Sequence, residues 1–253
     1  MERKIRIGAV SYLNTKPLLY GLENGAIREE IELILDYPAN LVNALQNDQI
    51  DIGLIPVVAL VGLDNYQIVS DYCIGTEGEV ASVCLFSEVP MEQIDTVILD
   101  YQSRTSVLLC KLLFEKHWKK PVRFIEAHDE SYLESIKGNV AGLVIGDRAL
   151  KSRTKYNYIY DLGQGWKEMT GLPFVFAVWV SLNPLNEKFI RSFNLANQEG
   201  LAHLNEVASQ ANFSDYNVGY YFRHNISYIL SNEHKKAMEL FFNIALQKTL
   251  DIH

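Results

Sequence analysis

From residue 5 to about residue 180, short apolar runs alternate with stretches of helical periodicity, and this alternation most restricts the fold. Strands joined through helices pair in parallel and are covered on both faces, so the pattern predicts an α/β protein with mostly parallel sheets. A first series places strands at Ile5–Val10, Ile31–Leu35, Ile50–Ile55, Tyr66–Tyr72 and Val80–Phe86. A helix begins at Pro17, and Leu41, Ala44 and Leu45 share one face of a second. Another series starts near Ile94, with strands at Val97–Leu99, Val122–Ile125, Ala141–Ile145, Tyr158–Tyr160 and Phe174–Val180. Its helical segments are Val107–Lys116, Tyr132–Ile136, Gly146–Leu150 and Trp166–Met169. After Pro184 only helical patterns remain, at Glu187–Asn205, Asp215–Leu230 and His234–Leu250. The break near residue 90 predicts two lobes, 1–88 with 178–253 and 89–177, with a ligand cleft between them at the carboxyl ends of the strands.

Charge narrows the partners. The 253 residues carry 23 basic and 31 acidic side chains, a net charge of −8, and the basic residues occur only in short pairs such as Lys119-Lys120. Nucleic acid, which favours a concentrated basic face, is excluded as the main partner. No run approaches the roughly 20 apolar residues of a membrane span, and the N-terminus lacks the apolar core of a secretory signal. The expected location is therefore the cytoplasm. Cys73, Cys84 and Cys110 lie far apart in apolar company and read as buried small hydrophobes without zinc spacing. No metal or cofactor is expected.

The polar turns after the strands carry the candidate chemistry. Ser11, Asn14 and Thr15 lie between the first strand and Pro17, where a helix N-terminus offers free N–H donors and partial positive charge to an anion. Ser103-Arg104-Thr105-Ser106 puts three hydroxyls and a guanidinium at another helix start. A cap needs one hydroxyl, whereas three with a helix N-terminus suit a carboxylate. Arg104 is either a bidentate clamp or the partner of a surface acid. Gly146-Asp147-Arg148 follows a buried strand; Gly146 allows close backbone approach, and Asp147 either faces a ligand or caps the helix and pairs with Arg148. Asp51 to Pro56 ends another strand with Gly53 and Pro56. Ser82 sits in an apolar strand, so its hydroxyl needs either a main-chain or a ligand partner. The six histidines all fall outside these turns, and the common serine-hydrolase, zinc-protease and phosphate-loop signatures are missing.

Taken in order, Arg6–Leu18, Asp51–Pro56, Ser103–Ser106, Ile145–Leu150 and Thr170–Trp179 resemble the chorismate dehydratases of menaquinone biosynthesis. Ala39 departs from the usual capping serine, and Asn40 stands ready as the cap. The resemblance implies a periplasmic-binding-protein-like fold of type II. It implies a lyase that removes water from chorismate to give 3-[(1-carboxyvinyl)oxy]benzoate, the first step of the futalosine route. The 1,4-dihydroxy-6-naphthoate synthase branch fits less well, because its opening motif and catalytic histidine are not matched here.

Under that reading Ser103, Thr105 and Ser106 hold one carboxylate, with Arg104, Gly146 and Pro56 lining the substrate site. Ser11 and Asn14 orient the other carboxylate or the leaving hydroxyl, assisted by Ser82. The base is the substrate's own enolpyruvyl carboxylate or Asp147. The alternatives are a solute-binding protein for a small carboxylate, which the fold alone permits, and a transcription-factor effector domain, which lacks a DNA-binding helix pair. All four turns are expected to converge on one dicarboxylate.

Overall fold

A computed structural model describes the backbone of residues 3–250 and the side chains of residues 3–246. The chain opens with β1 (Ile5–Ala9), α1 (Lys16–Asn24), β2 (Ile31–Leu35), α2 (Pro38–Gln46), β3 (Ile52–Pro56) and β4 (Gln67–Thr76). It continues with β5 (Val83–Ser87), β6 (Thr96–Leu99), α3 (Arg104–Lys116), β7 (Arg123–Glu126), β8 (Val140–Ile145), α4 (Gly146–Ser152), β9 (Tyr158–Asp161) and α5 (Leu162–Thr170). It ends with β10 (Phe174–Ser181), α6 (Glu187–Ala202), α7 (Leu204–Gln210), α8 (Val218–Tyr220), β11 (Ser227–Ile229) and α9 (Asn232–Leu250). Two compact units result, residues 1–75 with 175–253, and 76–174.

The first unit holds a six-stranded sheet in the order β11-β4-β10-β3-β1-β2. β1 runs parallel to β2 and β3, while β10 is antiparallel to β3 and β11 antiparallel to β4. Gly8 and Gly53 are register partners on β1 and β3. A Cβ on Gly8 would lie 2.6 Å from Ile50 and 2.8 Å from Leu41 of α2, so glycine lets that helix close on the sheet. Helices α1 and α6 approach more tightly still. A Cβ on Gly21 would sit 1.7 Å from the Ala196 carbonyl oxygen, and one on Gly200 1.8 Å from that of Pro17.

The second unit holds a five-stranded sheet, β7-β6-β8-β5-β9. β6 is parallel to β7 and β8, while β5 is antiparallel to β8 and β9. Its interior includes Cys84, Phe86, Tyr132, Ile136 and Val144. Trp166 of α5 is also fully buried and donates its indole N–H to the Pro173 carbonyl at 2.9 Å.

Three expectations need correction. Both sheets are mixed rather than mostly parallel. The Val80–Phe86 strand belongs to the second unit, because β5 pairs with β8 and β9, so the units divide at 75/76 and 174/175 instead of 88/89 and 177/178. Asp215–Leu230 is not one helix. It is a short helix, a π-turn at Tyr221–Asn225 and then β11, whose Ser227, Tyr228 and Ile229 are half-buried, buried and exposed. Buried Tyr221 and Phe222 mimic a helical stripe, while the edge of β4 claims the residues after Asn225.

Candidate functional site

In the first unit Ser11 and Asn14 leave the carboxyl end of β1, and Pro56 ends the neighbouring parallel strand β3, so all three lie on one edge of the sheet. Ser11 is exposed and Asn14 half-buried. The turn is tied to the tail of the chain, since the Tyr228 hydroxyl donates to the Asn14 carbonyl at 3.0 Å. Buried Thr15 donates to the Asn14 side-chain oxygen at 3.3 Å, which fixes the amide's orientation. Asp51, at the opposite end of β3, serves structure. Its carboxylate accepts the Arg6 backbone N–H at 2.8 Å and bonds with the guanidinium groups of Arg6 and Arg3.

In the second unit Ser103–Ser106 follow β6, Gly146 and Asp147 follow its parallel neighbour β8, and Ser82 precedes the antiparallel β5. All seven residues therefore share the carboxyl edge of β6 and β8, the edge on which open α/β sheets bind ligands. The Gly146 N–H donates to the Ser82 carbonyl at 2.7 Å, locking two of the turns together. Gly146 has φ +63°, a conformation that favours glycine.

Ser103 is the N-cap of α3: its hydroxyl accepts the Ser106 N–H at 3.2 Å and donates to the Ser106 hydroxyl at 2.9 Å. Much of the capacity of both hydroxyls is thus spent locally. Thr105 and Ser106 are buried beneath the helix start, while Arg104 is exposed and borders a cavity of about 510 Å³ with Tyr101, Lys111 and His128. Arg148, next in the chain to Asp147, is held from the β6 side. Arg148 reaches back to Asp100, at 2.7 Å, and to the Gln102 side chain, at 2.9 Å.

Asp100 is the principal residue that sequence reasoning missed here. Its fully buried carboxylate also accepts the Gln102 N–H at 2.7 Å and the Tyr132 hydroxyl at 2.9 Å. Burial raises its pKa against the pull of Arg148 and these donors. Arg148 resists the same burial because the Asp100 charge keeps its pKa raised. Its guanidinium lies over the Tyr101 ring at 5.1 Å. Arg148 Nη1 is buried with no hydrogen-bond partner among the described residues, a donor held in place by the ion pair on Nη2. The available signal was an acid directly after the apolar run Val97–Leu99.

Comparison with known proteins follows the same lines. A family model described as menaquinone biosynthesis matches residues 5–247. A chorismate dehydratase of Thermus thermophilus is 30% identical over 222 residues, covering 80% of this chain and 79% of the relative. Among solved structures, a protein of Archaeoglobus fulgidus superposes with TM-score 0.77 at 17% identity, covering 98% of each chain. The periplasmic aliphatic sulphonate binding protein of Escherichia coli does so with TM-score 0.65 at 13% identity, covering 99% of this chain and 94% of that one. The architecture is accordingly α/β and periplasmic-binding-protein-like, as the family resemblance implies.

Proposed function

We propose, from the premise that the chain belongs to the menaquinone biosynthesis family, that it is a chorismate dehydratase. The observation that carries this reading is the similarity to the Thermus thermophilus chorismate dehydratase over four-fifths of the chain, at 30% identity. The reaction is a hydro-lyase step. Chorismate loses its ring hydroxyl and a neighbouring ring hydrogen as water, and the product is the aromatic 3-[(1-carboxyvinyl)oxy]benzoate, which opens the futalosine route. No helix among the described residues is long and apolar enough to cross a membrane, and we place the reaction in the cytoplasm.

Aromatisation supplies the driving force, so the protein's task is to fix one conformer, take a proton and stabilise the departing hydroxide. Positioning alone contributes about 7–11 kcal/mol in favourable intramolecular cases. In this reading the N–H groups at the start of α3, with Thr105, Ser106 and Arg104, receive a carboxylate. Ser103 contributes by capping that helix. Ser11 and Asn14 orient the other carboxylate or the leaving hydroxyl, Ser82 assists, and Gly146 and Pro56 line the substrate. The base is the substrate's enolpyruvyl carboxylate, with Asp147 as the competing protein group.

The test is to mix pure protein with chorismate and follow the product by mass and ultraviolet absorbance. A product 18 mass units lighter, with an aromatic spectrum, is expected from the loss of one water. Tight binding of chorismate without product would make the chain a carboxylate-binding protein instead. That rival draws support from the fold it shares with solute-binding proteins.

A further inference from the structure

Ala81 has φ +61° in the fully buried interior of the second unit. The other described non-glycine residues with positive φ, Asp48, Asn65 and Lys119, all lie in exposed positions. The Ser82 N–H donates to the Val80 carbonyl at 2.7 Å, closing a three-residue turn around Ala81. With positive φ at its centre this is the rare, strained hand of the γ-turn. Such a conformation persists only where its surroundings over-determine it, and it clusters at functional sites.

The surroundings here are specific. Asp161, at the end of β9, accepts the Val80 N–H through Oδ1 at 3.0 Å and the Ala81 N–H through Oδ2 at 2.7 Å. The same carboxylate caps α5 by accepting the Gln164 N–H at 3.0 Å. On the other side of the turn, the Ala81 carbonyl accepts Arg153 Nη1 at 3.2 Å and the Cys84 thiol at 3.3 Å. Arg153 is in turn braced by Glu79 at 2.6 Å. Every polar backbone group of Ala81 is thus held, and it is followed directly by Ser82, itself buried, whose hydroxyl donates to the Val80 carbonyl at 3.4 Å and so takes its orientation from the same turn.

We propose that Asp161 is a positioning residue for Ser82, its carboxylate clamping the Val80–Ala81–Ser82 turn so that Ser82 is presented to the substrate in one orientation. The proposal rests on the assignment of Ser82 to the substrate site made above. Asp161 touches no reacting atom and acts only through the turn. Protonation would turn one accepting oxygen into a donor facing an N–H, and so release the clamp. Burial pushes the Asp161 pKa up to about 6, and Glu79 adds to the rise. The titratable groups around it are Glu79 just before the turn, Cys84 on β5 and Arg153 after α4. Burial keeps the Cys84 thiol protonated, by raising its pKa well above the usual range.

The experiment is a double-mutant cycle on chorismate turnover with Asp161→Asn, Ser82→Ala and both together. Asp161→Asn is expected to lower kcat at least tenfold with KM changed less than threefold, and to have no effect beyond twofold in the Ser82→Ala background. Equal losses in both backgrounds would overturn the proposal and leave Ser82 in the site. A Ser82→Ala protein with unchanged kcat would remove Ser82 from the site and the proposal with it. Amide exchange reads the clamp without activity. At pH 7, exchange at Val80 and Ala81 should be at least threefold faster in Asp161→Asn than in the unmodified protein. Equal protection in the two would overturn the clamp even if chorismate is turned over.

Discussion

Arg148 on α4 meets Asp100 after β6 at 2.7 Å, although 48 residues separate them in the chain. The pair joins the two turns that carry Gly146–Asp147 and Ser103–Ser106. It also fixes how far apart those turns stand. Removing one partner of such a pair leaves a buried charge uncompensated, at a cost of about 3–5 kcal/mol.

Asp100→Ala is therefore expected to destabilise the protein by about 3–5 kcal/mol, because Arg148 loses its charged partner in the interior, while the Tyr132 hydroxyl keeps the Leu143 carbonyl as acceptor at 2.8 Å. Denaturant unfolding checks this, and an unchanged midpoint would show that the pair is better solvated than its burial implies. Arg148→Met, which keeps the bulk of the stem, should raise KM for chorismate if the buried Nη1 donor serves the substrate.

Asn14→Ala and Asp147→Asn separate the roles proposed for the two units. Asn14→Ala should reduce kcat at least tenfold, and full activity would make the opening turn purely structural. Asp147→Asn should retain most of kcat if the substrate supplies its own base. Abolished turnover in a folded Asp147→Asn protein would assign the base to Asp147.

Ser103→Ala removes the cap of α3 and should cost about 1 kcal/mol of stability. The same substitution loosens the helix start, so KM should rise more than kcat falls. A thermal melt and steady-state kinetics on one preparation measure both.

Acid stability depends on Asp51. Bonds to Arg6 and Arg3 outweigh its partial burial and hold its pKa down to about 2. A carboxylate with a depressed folded-state pKa contributes stability that is present above its ordinary pKa and lost as pH falls toward the depressed value. The loss falls between about pH 4 and pH 2 and amounts to about 1–2 kcal/mol after allowing for screening by solvent. Asp51→Asn should flatten the stability profile in that window and lower the plateau above it.

Much of this architecture is legible in the residues themselves. The strand at Ile31–Leu35 falls where alternation and length place it, and Gly146 and Ser103 sit at the helix starts expected of them. What periodicity does not encode is which sheet a strand joins. Val80–Phe86 is apolar on both faces and fits either sheet, and only its partners β8 and β9 decide the matter. Asp100 and Asp161 escaped notice for a related reason. An acid at a strand end looks like a solvated turn residue until its distant partners are known, Arg148 for one and the Val80–Ala81 backbone for the other. β11 was hidden because Tyr221 and Phe222 continue a helical spacing up to the residue at which the chain straightens.

The order of the six-stranded sheet has a consequence for biosynthesis. β10 is the seam between β3 and β4, and α1 packs closely on α6, where Gly21 and Gly200 let the two backbones meet. Residues 1–75 therefore leave the ribosome without β10, which joins β3 to β4, and without the edge strand β11, whereas residues 76–174 contain every strand of their own sheet. The interior segment thus holds all the strands of its sheet before the opening one does, whose β3 and β4 keep bare edges until β10 ends at residue 181 and whose β4 waits further for β11 at residues 227–229.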